Sequence, residues 1–245
     1  DHIELLDIRF SHSCKMMNNL NKNKSGVLGK FLKIRNILYR LSFLISILRY
    51  KGYRELMTLK LNKNYPIIDL GANIGQSSII LWFRGFEVYA YEPHPYAFSK
   101  LKNLFKDAKR IHTINAAVVE NTESNNNEKK LYLHKEQNNI DIDLSQGSSL
   151  MNDKTNIDNR NYYKINTYKI NEIIEKFEQI ALLKCDIEGY EYNLYKDLLL
   201  HRNKIEYFII ETHAHKNPQW KDNDIELKTA FAKYLPKERY NLNWH

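Results

Sequence analysis

Short apolar runs and helically spaced segments take turns along most of this chain. From residue 64 onward, "YPIIDLG" (65–71), "FEVYAYEP" (86–93), "IHTINAAVV" (111–119), "IALLKCDIEG" (180–189) and "IEYFIIETH" (205–213) read as buried strands. Between them, "QSSIILWFRG" (76–85), "YAFSKLKNLFKDA" (96–108) and "YEYNLYKDLLLHR" (190–202) carry helical periodicity. That alternation predicts an α/β fold: a Rossmann-like, mostly parallel sheet with helices on both faces. The alternation fails between residues 120 and 165, where "NTESNNNE", "KKLYLH", "QGSSLMN" and the start of "YYKINTYKI" follow one another. An excursion of that length inside a compact domain reads as a functional loop or an added hairpin.

Upstream the pattern changes. Residues 1–26 are polar, with the run "MNNLNKNKSG", and read as a mobile lead-in. Residues 27–60 set Leu28, Phe31, Leu32, Leu38, Leu41, Ile45 and Leu48 against Lys30, Lys33, Arg35, Arg40 and Arg49 at helical spacing. Their longest uncharged stretch, "LSFLISIL" (41–48), is far short of the ~20 residues that a bilayer span needs. Two readings follow: a pair of helices covering one edge of the sheet, or a basic amphipathic helix lying on a membrane surface. The organisation expected is a basic helical extension over 1–63 and one α/β domain over 64–245.

Composition narrows the class without naming it. A hydrophobic content of 43% over 245 residues supports an ordinary core and excludes disorder of the whole chain. Two cysteines, Cys14 and Cys185, give neither a disulfide framework nor metal-type spacing, which favours a reducing, cytoplasmic compartment. The chain opens on Asp1 rather than Met, so a preceding segment is expected. The net charge of +8 points to an anionic partner, such as a nucleotide-linked sugar, a phosphorylated glycan or a membrane surface. Nucleic acid is not expected, because the basic residues do not gather with aromatics on one platform. Oligomeric state is not legible.

The chemistry starts at "DLGANIGQSS" (69–78), where strand one hands over to a helix. Gly71, Asn73 and Gly75 let the backbone approach a ligand closely. A phosphate loop would need Gly-Lys-Ser/Thr, and Gln76 follows Gly75. A dinucleotide fingerprint would need G-x-G-x-x-G, and only Gly71 and Gly75 are present. Asp69 at the strand end repels pyrophosphate but suits an ammonium group. Glu92 ends strand two about 20 residues further on, where an acid accepts hydrogen bonds from ribose hydroxyls. A ribose at Glu92 and an amino-acid end near Asp69 together describe S-adenosylmethionine. Asn115, ending strand three, is read either as an adenine contact or as a plain turn residue.

Two further strands add charge at their carboxyl ends. Lys184, Asp186 and Glu188 alternate along and out of the fourth, and Glu211 and His213 do so on the fifth. Charges in an apolar sheet need a reason, because unpaired burial is costly. One reason is structural: Lys184 paired to Asp186 or Glu211, with Glu188 and Glu191 favouring the next helix N-terminus. The other is catalysis, with His213 or Asp186 taking a proton from an acceptor. Asp186 and Glu211 could also hold a divalent cation such as magnesium, although no third oxygen ligand is evident. "YAFSK" and "YNLYK" match the Tyr-x-x-x-Lys of nicotinamide dehydrogenases, but their placement and the glycine pattern do not.

"DLGANIGQSS", "YEPHPYAF", "INAAVV", "GSSL", "LLKCDIEGYEYNLYKDL" and "FIIETH" together resemble, in that order, FkbM-type S-adenosylmethionine-dependent methyltransferases over residues 64–215. The resemblance implies a class I methyltransferase fold and O-methylation of a hydroxyl on a sugar or other secreted metabolite. Gly147, Ser148 and Ser149 belong to a loop on either the substrate or the cofactor side. A non-catalytic glycan-binding or nucleic-acid-binding domain is the alternative on the same fold.

Overall fold

The computed structural model describes residues 27–123, 128–136 and 145–244. The expected lead-in over 1–26, Cys14 and the centre of the Asn-rich stretch lie outside the described residues. The chain divides into two compact units, Asp1–Tyr50 and Lys51–His245. The described part of the first is dominated by one helix, α1 (Val27–Ile47).

The second unit opens with α2 (Lys51–Thr58) and then builds a six-stranded sheet. Its strands are β1 (Ile67–Leu70), β2 (Val88–Tyr91), β3 (Ile111–Ile114), β7 (Ile180–Cys185), β8 (Ile205–Ile210) and β9 (Tyr240–Asn241). Their order is β3-β2-β1-β7-β8-β9, and every pairing is parallel. Every residue of β1 and β7 is buried, as parallel strands covered on both faces require. Helices α3 (Gln76–Phe83), α4 (Pro95–Leu104), α6 (Glu191–Leu200) and α7 (Lys221–Tyr234) are the other long helices of this unit. Ile68, Leu183, Leu198, Phe208 and Phe231 join one continuous core. Burial of that many large apolar side chains, at about 25 cal/mol per Å² removed from water, is what holds the sheet together. Helix α2 packs on α3, and Arg84 donates to the carbonyls of Leu56 and Leu59.

The reading of 111–119 as one strand needs correction. The chain turns at Asn115 and Ala116, and Ala117–Val119 forms β4 in a second, three-stranded sheet. That sheet has the order β4-β6-β5, with β5 (Glu128–His134) and β6 (Ile157–Lys169). Strands β5 and β6 pair antiparallel and β4 joins β6 in parallel. The excursion is thus an added hairpin, stapled to the main fold by β4. A short helix, α5 (Ile170–Ile174), returns the chain to β7.

Candidate active site

The opening turn is a set of left-handed residues held by backbone bonds. Gly71, Asn73 and Gly75 have φ of 76°, 50° and 103°. A Cβ on Gly71 would lie 1.7 Å from the Asp186 carbonyl oxygen, so nothing larger than glycine fits. Gly71 and Ala72 both donate to Tyr91 O at 3.0 Å, which ties the turn to the end of β2.

Glu92 closes the same turn from the other side. Its Oε2 accepts from Asn73 N at 2.8 Å and its Oε1 from His94 N at 2.7 Å. Burial pushes its carboxyl up to about 7, against the two N–H bonds that favour the charged form. Asn115 donates through Nδ2 to the carbonyls of Glu92 and Pro93, at 2.9 and 3.2 Å. Glu92 and Asn115 therefore tie the turn, the segment after β2 and the end of β3 to one another.

Beneath the turn, Asp69 and Lys184 are register partners on β1 and β7. Asp69 is fully buried, with Oδ2 accepting from Ser78 Oγ at 2.6 Å and Oδ1 lying 3.4 Å from Lys184 Nζ. The ammonium that Asp69 meets is thus supplied by the chain itself. Lys184 also reaches Asp186 Oδ2 at 3.3 Å, and its Nζ lies 5.2 Å from the Trp244 ring centre. Burial works against its charge, but the Asp186 and Asp69 carboxylates outweigh that and hold its pKa above the lysine range. Lys184 is a buried strut between the two strand ends rather than a group open to a substrate. Its pairing with Asp186 was legible; its pairing with Asp69 was not.

The second half of the site gathers on His213. The imidazole is buried, and Nδ1 lies 3.0 Å from Glu191 Oε1, which also accepts from His213 N at 3.0 Å. Glu191 Oε2 takes Gly189 N at 2.9 Å, so this fully buried acid locks the loop and the ring together. Around Nε2 stand Asp186 Oδ1 at 3.7 Å, Glu211 Oε1 at 3.8 Å and Glu188 Oε2 at 3.9 Å. Burial alone would lower the histidine pKa, but the Glu191 bond and the neighbouring carboxylates raise it to about 9. His213 is therefore an imidazolium at neutral pH, not the free base that its ordinary pKa of about 6.5 suggests. Glu211 moves the other way from a normal acid: burial and Asp186 push it up to about 7, opposed by His213 and Lys184.

Sequence reasoning missed Lys154. Its side chain is completely buried, with Nζ 2.6 Å from Glu188 Oε2 and 2.9 Å from Gly147 O. Ser149 Oγ donates to Glu188 O at 2.7 Å, so the Gly147–Ser149 loop sits on the Glu188 side of the site. Glu188 itself has a φ of 57°, a left-handed strain stored where the acids converge. No spacing rule links position 154 to 188. His215, two residues on, is exposed and stands outside the carboxylate cluster.

Asp186, Glu211 and His213 each offer a ligand atom within 4.8 Å of the others, so the third metal donor lacking in the sequence reading is a nitrogen. The profile of the Methyltransferase FkbM domain matches residues 69–241, which span every side chain from Asp69 to His213. The chain belongs to the FkbM methyltransferase domain family. The matched FkbM domain leaves α1 and α2 outside it. A solved structure, the crystal structure of methyltransferase FkbM from Methylobacillus flagellatus KT at 2.20 Å resolution, is similar to this chain at 19% identity. The similarity covers 74% of this chain and 42% of that one, with a TM-score of 0.41. No curated protein sequence matches significantly.

Proposed function

We propose that this FkbM domain is an S-adenosylmethionine-dependent O-methyltransferase whose acceptor is a sugar hydroxyl, free, polymeric or nucleotide-linked. The observation that carries the reading is the juxtaposition of two devices at the carboxyl ends of neighbouring strands. The Gly71–Gly75 turn, closed by Glu92, is shaped for a ribose-bearing ligand, and the Asp186–Glu211–His213 cluster beside it can handle a proton. Methyl transfer needs an acceptor oxygen aligned with the sulfonium methyl carbon and a group that takes the hydroxyl proton as the new bond forms. His213 is the base that the sequence suggests, but its displaced pKa leaves it charged. Glu211, pushed up to about 7, is the group poised to accept a proton near neutrality. The imidazolium at 3.8 Å then holds that carboxylate in place.

The deciding experiment is calorimetric titration with S-adenosylmethionine, followed by transfer of labelled methyl to a panel of sugars. Glu92→Ala should weaken cofactor binding by about 1.5–3 kcal/mol, because it removes a charged acceptor and frees two turn amides. Affinity unchanged in that variant means the ribose is held elsewhere. No binding by the parent chain ends the proposal.

The cluster also fits a divalent cation. Two carboxylates and one imidazole, with the far ring nitrogen on Glu191, form a mixed donor set that suits manganese, iron or zinc better than magnesium. Such an ion would polarise a substrate hydroxyl. Manganese titrated into the chelator-treated chain should bind more tightly as pH rises through about 9, because it competes with the His213 proton. Asp186→Asn should abolish that heat. Binding that ignores both pH and this substitution would place the ion at another site.

A further inference from the structure

The net positive charge of the chain is confined to one end. Between Asp7 and Glu55 stand eleven Lys or Arg residues and no Asp or Glu. Residues 55–245 carry 26 Lys or Arg against 26 Asp or Glu and are neutral. The excess of +8 thus belongs to the N-terminal segment and says nothing about the acceptor.

The same segment contains α1, and α1 has an unusual surface. Ile34, Ile37, Leu38, Leu41 and Ile45 are 37–64% exposed. Their spacing of i, i+3, i+4, i+7 and i+11 gathers them into one stripe about 100° wide. Lys33 and Arg49 are exposed at its margins. Single exposed leucines are ordinary, but a continuous aliphatic stripe marks an interaction surface.

We propose that α1 is a membrane-surface anchor, its aliphatic stripe entering the interface of an anionic bilayer while the flanking cations meet lipid headgroups. Among the described residues, no helix is long and apolar enough to cross a membrane, so α1 lies in the interface plane rather than through it. A second copy of the chain is the competing occupant, and charge decides against it. Two such helices packed stripe to stripe would bring together cationic segments that contain no acid to pair with. An anionic surface neutralises the same residues and adds attraction for each one near it.

The test is co-sedimentation of the full chain with vesicles of phosphatidylcholine alone or mixed with phosphatidylglycerol. The chain should pellet with the mixed vesicles at low salt and bind phosphatidylcholine alone about tenfold or more weakly. Raising salt to about 1 M should release it, since screening then acts within a few ångströms. Ile37→Asp combined with Ile45→Asp should cut binding about tenfold or more, with circular dichroism and melting unchanged because both sites face water. Ile225→Asp, equally exposed on α7, should leave binding intact. Three results overturn the proposal: no pelleting with anionic vesicles, equal binding to both vesicle types, or a dimer in light scattering that the stripe variant dissolves while vesicle binding is absent. The vesicle and salt comparisons need no variant, so they stand even if the substitutions disturb folding.

Discussion

Gly71→Ala should destabilise the α/β unit by about 3–5 kcal/mol and abolish S-adenosylmethionine binding in calorimetry. Two costs combine at this position. The residue has a φ of 76°, where an L side chain costs roughly 1–2 kcal/mol. The added Cβ would also sit 1.7 Å from the Asp186 carbonyl oxygen, a backbone atom that cannot rotate away. Relief requires β1 and the end of β7 to separate, and that stretches the Asp69–Lys184 pair and the bond from Asp186 N to Leu70 O. Gly85→Ala is the control, since its φ is 99° but its nearest neighbour would be the end of Arg110 at 3.4 Å. That variant should lose only about 1 kcal/mol in urea denaturation. If the two substitutions prove equally mild, the close approach of the turn to the Asp186 peptide is wrong.

The parts of this structure that sequence reveals are those governed by local pattern. Ile67–Leu70 and Ile180–Cys185 are apolar runs buried on both faces, and a parallel sheet imposes that run wherever it occurs. Gly71 and Gly75 announce their turn because only glycine adopts it cheaply. The break at Asn115 was hidden, since "IHTINAAVV" stays apolar across the corner where the chain leaves one sheet for another. Lys154 was hidden for a different reason: its partner is 34 residues away and no periodicity connects a loop lysine to a strand-end acid. Protonation states were the least legible. His213 and Glu211 were identified as chemistry-bearing residues, yet their assignment depends on Asp186, Glu188, Glu191 and Lys184, which only the folded chain assembles. A reference pKa predicts the residue type that can act, and the surrounding charges decide which one does.

That assignment makes the last expectation measurable. Turnover at saturating acceptor should rise with pH through an inflection near 7, the value to which burial and Asp186 push Glu211. Glu211→Gln should lower turnover by about 10²–10⁴-fold and erase the inflection, with cofactor affinity nearly unchanged. His213→Gln removes a cation that holds the Glu211 pKa down, so the inflection in that variant should move to higher pH rather than vanish. The fold should report the same charges through its stability. A histidine raised from 6.5 to about 9 contributes stability that is complete below 6.5 and lost as pH climbs through 9, about 3 kcal/mol in all. Glu92 and Glu211 act in the same direction at lower pH, since each binds its proton more tightly folded than unfolded and so costs stability as pH climbs from about 4.5 to about 7. Melting temperature should therefore fall between pH 6 and pH 9.5 in the parent chain and fall less in His213→Gln. An inflection of turnover near 9 that disappears in His213→Gln would instead make the histidine the proton acceptor. A flat profile in both variants would remove this cluster from the proton transfer altogether.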